Sequence, residues 1–458
     1  MSKTLFEDFQ SVSAKEWKQR IQVELKGADF NEKLVTKTWE GIDIKPFYHQ
    51  DETQPVSQAI PSNPWLVSER IAFASTEETL ATILDDVNRG AESIWLEVAQ
   101  PSASFLELLE EESLPQVPFF IELKFLDASF NSNLLQLIKE KKLQASLGID
   151  IYGNLASTGN WFNNQKTDVQ EVAILAEQAQ NIPFLMIDAR PYQEAGGNQT
   201  QQIAYALAHL NEYLNSLQQP EKISQISLVV SIGSNYFFEI AKLKAMRWCV
   251  NSLLEDAKLP TQVKIMAIPS KRNKSLYDYN VNMLRTTTEI MSALLGGADE
   301  VANLAYDHLY HHSNEFGKRI ARNQLLLLKN EAHFDKVNNP TDGAYYIENL
   351  VHQLANNALS LFKQIESGGG FLQQLFDGKI QEKLKESAAK EKALFDEGKR
   401  VLVGTNKYPN AEDKMKESLQ KDPFLAKEKR KTLLQPIVER RLASAIEKAR
   451  LKEEASAQ

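Results

Sequence analysis

Eight short β-type runs alternate with longer helical stretches between residues 65 and 305. Few folds accept that pattern. The runs are "WLVSERIAF" (65–73), "SIWLEV" (93–98), "FFIELKF" (119–125), "SLGIDI" (146–151), "PFLMIDA" (183–189), "ISLVVSIG" (226–233), "VKIMAIP" (263–269) and "ADEVANLA" (298–305). Amphipathic stretches such as "TEETLATILDDVNRG" and "QQIAYALAHLNEYLNSL" separate them. A helix between two strands carries the chain back over the sheet, so such strands pair in parallel. Eight units over roughly 250 residues predict an α/β chain closed as a (β/α)8 TIM barrel. A doubly wound open sheet shows the same alternation and is the alternative.

The flanks read differently. Residues 1–64 form an N-terminal arm and linker. In it, "SAKEWKQRIQVEL" sets Trp17, Ile21 and Leu25 on one helical side, and "LVTKTWEGIDIKPFY" is extended, broken at Gly41 and Pro46. Residues 65–350 carry the barrel, and 351–458 a C-terminal helical region and tail. There "EKLKESAAKEKALFDEGKR" is a charged helix ending at Gly398. Beyond Asp422, Leu434, Val438, Leu442, Ala445 and Ala449 fall on a narrow helical stripe, suited to the chain's own domain or to a partner.

Composition narrows the function. The formal net charge of −9 argues against nucleic acid as the main partner. No run approaches the ~18 apolar residues of a membrane span. "MSKTLFEDFQ" lacks the apolar stretch of a signal peptide, and Cys249 is the single cysteine. A cytoplasmic protein with no membrane attachment is expected.

Residues 188–197, "DARPYQEAGG", make a strand-to-helix corner, where a barrel places catalytic groups. Pro191 sits in it and moves no proton. Glu194, read at a helix start, suits a general base or a charge favouring a helix N-terminus. Asp150 and Asp188, ending their strands, suit catalysis or capping. In "YDHLYHH", a helix would put His308 and His312 on one face near Asp307, with His311 beside them. No HExxH glutamate accompanies them, so surface histidines are the reading preferred. "SGGGF" (367–371) and "DGK" (377–379) match no phosphate loop and read as caps. Cys249 reads as a small buried residue. In "NVNMLRTTTEIMSALLGG", Leu284, Thr287, Met291 and Leu294 share a face that Gly296-Gly297 ends.

Longer stretches carry a resemblance. "YDYNVNMLRTTTEIMSALLGGADEV" (277–301), "EFGKRIARNQLLLLKNEAHFDKVNNPTDGAYYIENL" (315–350), "GKRVLVGTNKY" (398–408), "GSNYFFEIAKLKAMR" (233–247) and "TWEGIDIKPFY" (38–48) resemble, in order, motifs of the methylmalonyl-CoA mutase family. The resemblance implies a CoA-ester-binding TIM barrel followed by a flavodoxin-like cobalamin domain. The implied reaction is radical interconversion of methylmalonyl-CoA and succinyl-CoA with adenosylcobalamin.

The family's chemistry does not carry over. Its active-site histidine falls on Pro191 and the preceding tyrosine on Arg190, so no catalytic residue is assigned. A positioned histidine is worth roughly 10²–10⁴ in rate. Of the family's Q-T-S-G, aligned with residues 268–271, Ser270 alone is kept, flanked by Ile268, Pro269 and Lys271. A second family histidine falls on Ala302. "QPVSQAIPSN" (54–63) replaces a glycine-rich arm with its cofactor-side tyrosine. The cobalt-ligating D-x-H-x-x-G does not occur, and the residues after "NKY" are too few for the cobalamin domain. No cofactor or metal is expected on this chain.

That pattern resembles the small, non-catalytic subunits of the family's heterodimeric bacterial members. Adenosylcobalamin is then expected in a large catalytic partner subunit. The alternatives are a barrel that holds a CoA ester or effector, a subunit of a related acyl-CoA mutase, and an independent enzyme using Arg190, Glu194 and Lys271. Trp95, Phe119, Phe120, Leu185 and Met266 lie on the strands, and those turned inward would close the interior. Trp17, Trp39 and Phe47 of the arm, together with the tail, are expected to lie across the partner.

Overall fold

The computed structural model describes residues 9–53, 64–424 and 430–456. The replaced arm segment 54–63 lies outside the described residues. Ser13 caps the helix Ala14–Glu24: its hydroxyl accepts from the Glu16 N–H, and Glu16 accepts from the Ser13 N–H. Further on, Thr36–Lys37 (β1) pairs antiparallel with Asp43–Ile44 (β2). Here the arm is anchored. Ile42 is fully buried in the main core, and Arg400 lies over the Trp39 ring at 5.8 Å. Farther out the arm is exposed, with Phe9 at 75%, Trp17 at 49% and Val23 at 72%.

All eight predicted runs are strands: Leu66–Ala72 (β3), Ser93–Val98 (β4), Phe119–Leu123 (β5), Ala145–Gly148 (β6), Leu185–Asp188 (β7), Gln225–Ile232 (β8), Gln262–Pro269 (β9) and Glu300–Ala302 (β10). They lie in the order β6-β5-β4-β3-β10-β9-β8-β7, each parallel to its neighbour. The two ends of that row meet. Ile149 bridges Leu185, and the Leu147 N–H donates to the Pro183 carbonyl at 2.7 Å. The sheet is therefore a closed TIM barrel, and the open doubly wound alternative falls.

Alternation along the strands divides the side chains. Ile94, Leu96, Ile121, Leu147, Leu185 and Ile187 face the surrounding helices. The residues between them face inward, where Trp95, Phe120, Met186, Val229, Met266 and Ala302 form a separate cluster. Of the five strand residues named as candidates, Trp95, Phe120 and Met266 turn inward, Phe119 and Leu185 pack outward, and Met186 joins the inner set. Phe120 lies across β6, so a Cβ on Gly148 would come within 2.5 Å of its ring. One layer below, Glu300 accepts hydrogen bonds from Ser68 at 2.7 Å and Ser93 at 2.9 Å. Lys264 pairs with its other oxygen at 2.5 Å.

The helix Val281–Leu295 ends at Gly296 as expected, and its buried face differs in part. Leu294 is buried and Met291 packs against the core, but Leu284 is exposed, and Asn282, Thr286, Glu289, Ile290 and Ala293 are buried. The reason is electrostatic: Glu289 meets the buried Lys274 at 2.7 Å, so a polar stripe is the one that packs. Three more helices follow the barrel, Tyr345–Ser367, Gly370–Phe376 and Lys379–Asp396, and the glycines of "SGGGF" and "DGK" cap them.

The tail corrects another expectation. Residues 430–442 are not a striped helix but an extended strap over the barrel mouth, and helix resumes at Ser444–Ser456. Pro436 has no N–H to give and holds Gln435 away from helical backbone. Backbone N–H groups along the strap bond it to the barrel and its loops. Leu433 donates to Gly159 at 2.9 Å, Ile437 to Ala156 at 2.7 Å, Arg440 to Glu194 at 2.8 Å and Leu442 to Arg272 at 3.0 Å. Leu434, Ile437 and Leu442 are buried beneath it, so this part of the tail lies on its own barrel, the first of the two placements the stripe suited.

Candidate functional site

The register that brings Trp95 beside Phe120 brings Glu97 beside Glu122 two residues later, at the mouth. Glu122 is fully buried. Its Oε2 accepts from the Trp95 indole at 2.8 Å, and its Oε1 from Lys124 at 2.5 Å and Arg190 at 2.6 Å. Burial opposes the charge on Glu122, yet Arg190, Lys124 and Arg70 hold its carboxyl well below the usual carboxylate range. Arg70 also bonds Glu97, and both guanidiniums sit over the Trp95 ring, at 5.2 Å and 5.3 Å.

Arg190 and Pro191 open the short helix Arg190–Glu194 that forms the corner. Proline fits the first turn, where no partner exists for its missing N–H. The Arg190 side chain turns back on its strand, with Nε 2.7 Å from Asp188. Asp188 therefore serves an ion pair. Asp150 caps the helix Ile151–Thr158 through the Gly153 N–H at 2.8 Å. It also bonds His209 at 2.9 Å and Tyr213 at 2.9 Å, and His209 continues to the Tyr192 hydroxyl at 3.0 Å. All of these groups are buried, and Phe371 stacks on His209 at 5.0 Å. The network fixes the corner from behind.

Glu194 ends its helix rather than starting one, which removes the N-terminal role expected of it. It is buried; its carboxylate accepts from Ser231 at 2.8 Å and from the Lys271 N–H at 3.2 Å. Burial pushes its pKa up. Gly196, at φ 98°, lets the next turn pass against the helix Lys379–Asp396: a Cβ there would lie 2.6 Å from that of Ala388.

Residues 306–312 form turns, not a helix, so His308 and His312 do not share a face. His311 pairs with Asp307 at 3.0 Å. Among the described residues no group of three or more His, Cys, Asp or Glu side chains is placed to hold a metal. Cys249 is buried, and burial pushes its thiol up to about 12, far from a nucleophile. Among the described residues no helix is long and apolar enough to cross a membrane.

A cavity of about 700 Å³ lies between mouth and strap, lined in part by Arg70, Lys124, Arg190, Pro191, Pro269 and Ile437. Its floor is electrically balanced: Arg70, Lys124 and Arg190 face Glu97, Glu122 and Asp188. Sequence reading missed Arg70, Glu97, Glu122, Lys124 and His209. Charges inside apolar β runs, spaced two apart from the inward Trp95, were the available signal.

Fold and mouth together define a class: a TIM barrel whose mouth carries its own ion pairs and is spanned by its own chain. Residues 129–457 match the family model for methylmalonyl-CoA mutase. The methylmalonyl-CoA mutase small subunit of Porphyromonas gingivalis is 32% identical over 89% of this chain and 71% of its own length. The small subunit from Streptomyces virginiae is 26% identical over 89% of this chain and 72% of its own. The mitochondrial methylmalonyl-CoA mutase of Homo sapiens is 25% identical, covering 86% of this chain and 60% of its own. The chain belongs to the methylmalonyl-CoA mutase family.

Proposed function

We propose that this chain is the small, non-catalytic subunit of a heterodimeric methylmalonyl-CoA mutase, acting in the cytoplasm and stabilising a large catalytic subunit. One observation carries the reading. At the corner where the family's histidine and tyrosine are expected, the chain has Pro191 and an Arg190 tied to Asp188 and Glu122. Neither group is free to move a proton at a substrate.

Adenosylcobalamin belongs, on this reading, to the partner. The residues at this chain's own mouth do not fit a corrinoid: approach to Arg190 is crossed by the strap, which is bonded to Ala156, Gly159 and Glu194. No step of the rearrangement is routed through this chain. The names of the two small-subunit relatives add support.

The test is co-expression with the mutase-like large chain, followed by size analysis and assay of succinyl-CoA formation. The reading expects a heterodimer, activity in the complex with adenosylcobalamin, and none in this chain alone. Turnover by this purified chain, or a large chain equally stable and active without it, overturns the reading.

A further inference from the structure

A second cleft at the mouth is chemically unlike the first. It has a volume of about 560 Å³ and opens between the corner, the helix Lys379–Asp396 and the C-terminal segment. That size suits a small-molecule ligand. Some of its cations are already matched: Arg272 by Glu391 at 2.6 Å, Arg441 by Glu447 at 2.7 Å and, loosely, Lys271 by Glu439 at 3.7 Å. Lys421, Arg440 and Lys448 also line it, and among the described residues none of the three has a carboxylate partner.

These charges crowd one another. Burial lowers the pKa of Lys421, and Lys271 lowers it further. Beside both, His308 is pushed down to about 3, first by burial and then by Lys271 and Lys421, so it stays neutral. Across the cleft, the Phe424 ring is flanked by Lys448 at 4.7 Å and Arg441 at 5.7 Å. Cations from three separate parts of the chain thus outnumber the carboxylates that line the same cleft, Glu194, Asp422 and Glu439, and an anion placed among them relieves their repulsion.

We propose that this cleft binds a small phosphorylated anion, held by Lys271, Lys421, Arg440 and Lys448 with His308 in the same wall. Several separated cations match the several oxygens of a phosphate better than one carboxylate. The site lies beside the barrel axis and does not depend on the role proposed above.

The experiment is calorimetric titration of pyrophosphate into the full chain at low ionic strength, with succinate as the carboxylate probe. Saturable pyrophosphate binding is expected, with affinity at least tenfold weaker in Lys421→Ala/Lys448→Ala and unchanged in Lys166→Ala, which lies on another groove. Arg440→Ala, at an exposed position, gives a second variant that leaves packing intact and is expected to weaken binding severalfold. The proposal is overturned by absence of saturable pyrophosphate binding, by variants that bind as the wild type does, or by succinate binding as tightly as pyrophosphate.

Discussion

The guanidinium of Arg190 lies 2.6 Å from a carboxylate oxygen of Glu122, 68 residues away in sequence and fully buried on a neighbouring part of the barrel. The contact ties the side chain that opens the corner into the ion pairs of the mouth. It satisfies a charge inside the mouth that would otherwise have to be neutralised or solvated.

Removing that guanidinium tests the point. Losing one partner of a buried pair costs about 3–5 kcal/mol, and Lys124 and Arg70 remain to soften it. Arg190→Met is therefore expected at or below about 3 kcal/mol in urea unfolding at pH 7. The pH dependence has a definite sign. The folded pKa of Glu122 is lowered, so its stabilisation is complete above the unfolded value near 4.5 and is lost as pH falls below it. With Arg190 gone, the acid-side loss between pH 4.5 and 3 becomes shallower than in the wild type. An equally steep loss in the variant counts against the ion pair.

Glu69 titrates in the opposite sense. Burial first, then Asp86, raises its pKa to about 7, despite Arg322 and Lys318. A raised folded pKa gives stability that is complete below the unfolded value near 4.5 and lost as pH rises through about 7. Glu69→Gln keeps an acceptor for Arg322, which also holds Asp86 at 2.7 Å. The variant is expected to be more stable than wild type at pH 8 by about 1–3 kcal/mol, with the difference vanishing near pH 4.5. Thermal unfolding at the two pH values decides it.

The barrel interior gives a packing test. Phe120 is buried, meets Trp95 edge-on at 5.2 Å and covers Gly148. Phe120→Ala leaves a cavity that rigid strands cannot collapse, at a cost of about 3–5 kcal/mol. Phe119→Ala removes a similar area from the helix-facing side, so both variants lose stability in urea unfolding. Phe120→Ala alone is expected to change the near-ultraviolet signal of Trp95, and a signal unchanged from wild type would show that the ring does not fill the interior.

Strands were readable because they rest on periodicity, a local property, whereas their number pointed to a barrel without excluding an open sheet of the same alternation. The spacing that marked "SIWLEV" and "FFIELKF" as strands also fixes which residues turn inward. Yet the sequence alone could not say on which parity Phe119 or Phe120 would fall, since both are apolar. The mouth was harder. Arg70, Glu122 and Arg190 are far apart in the chain, and barrel closure is what brings them together. The strap was misread because its apolar residues match a helical stripe, and Pro436 inside it was the overlooked signal. Pro191 was readable as a residue that moves no proton, whereas the Asp150–His209–Tyr192 network behind it was not readable.

The arm carries the last prediction, which rests on the proposed partnership. Its inner end is fixed to the barrel by Ile42 and by Trp39 under Arg400. The outer helix Ala14–Glu24 leaves Trp17 and Val23 largely exposed, with Phe9 before it. Trp17 touches Phe47 edge-on at 6.4 Å, so part of one face is tied down while the rest is open. Exposed apolar residues close together in one segment suit an interaction surface. Changing them alters little within this chain, since surface substitutions usually stay within about 0.5 kcal/mol. An obligate interface, by contrast, is largely apolar and buries upwards of about 2,000 Å². Trp17→Glu/Val23→Glu is therefore expected to melt within a few degrees of wild type by itself, yet to co-purify with the large subunit at least tenfold less well. Full-strength association and mutase activity with the doubly substituted arm would place the interface elsewhere on the barrel.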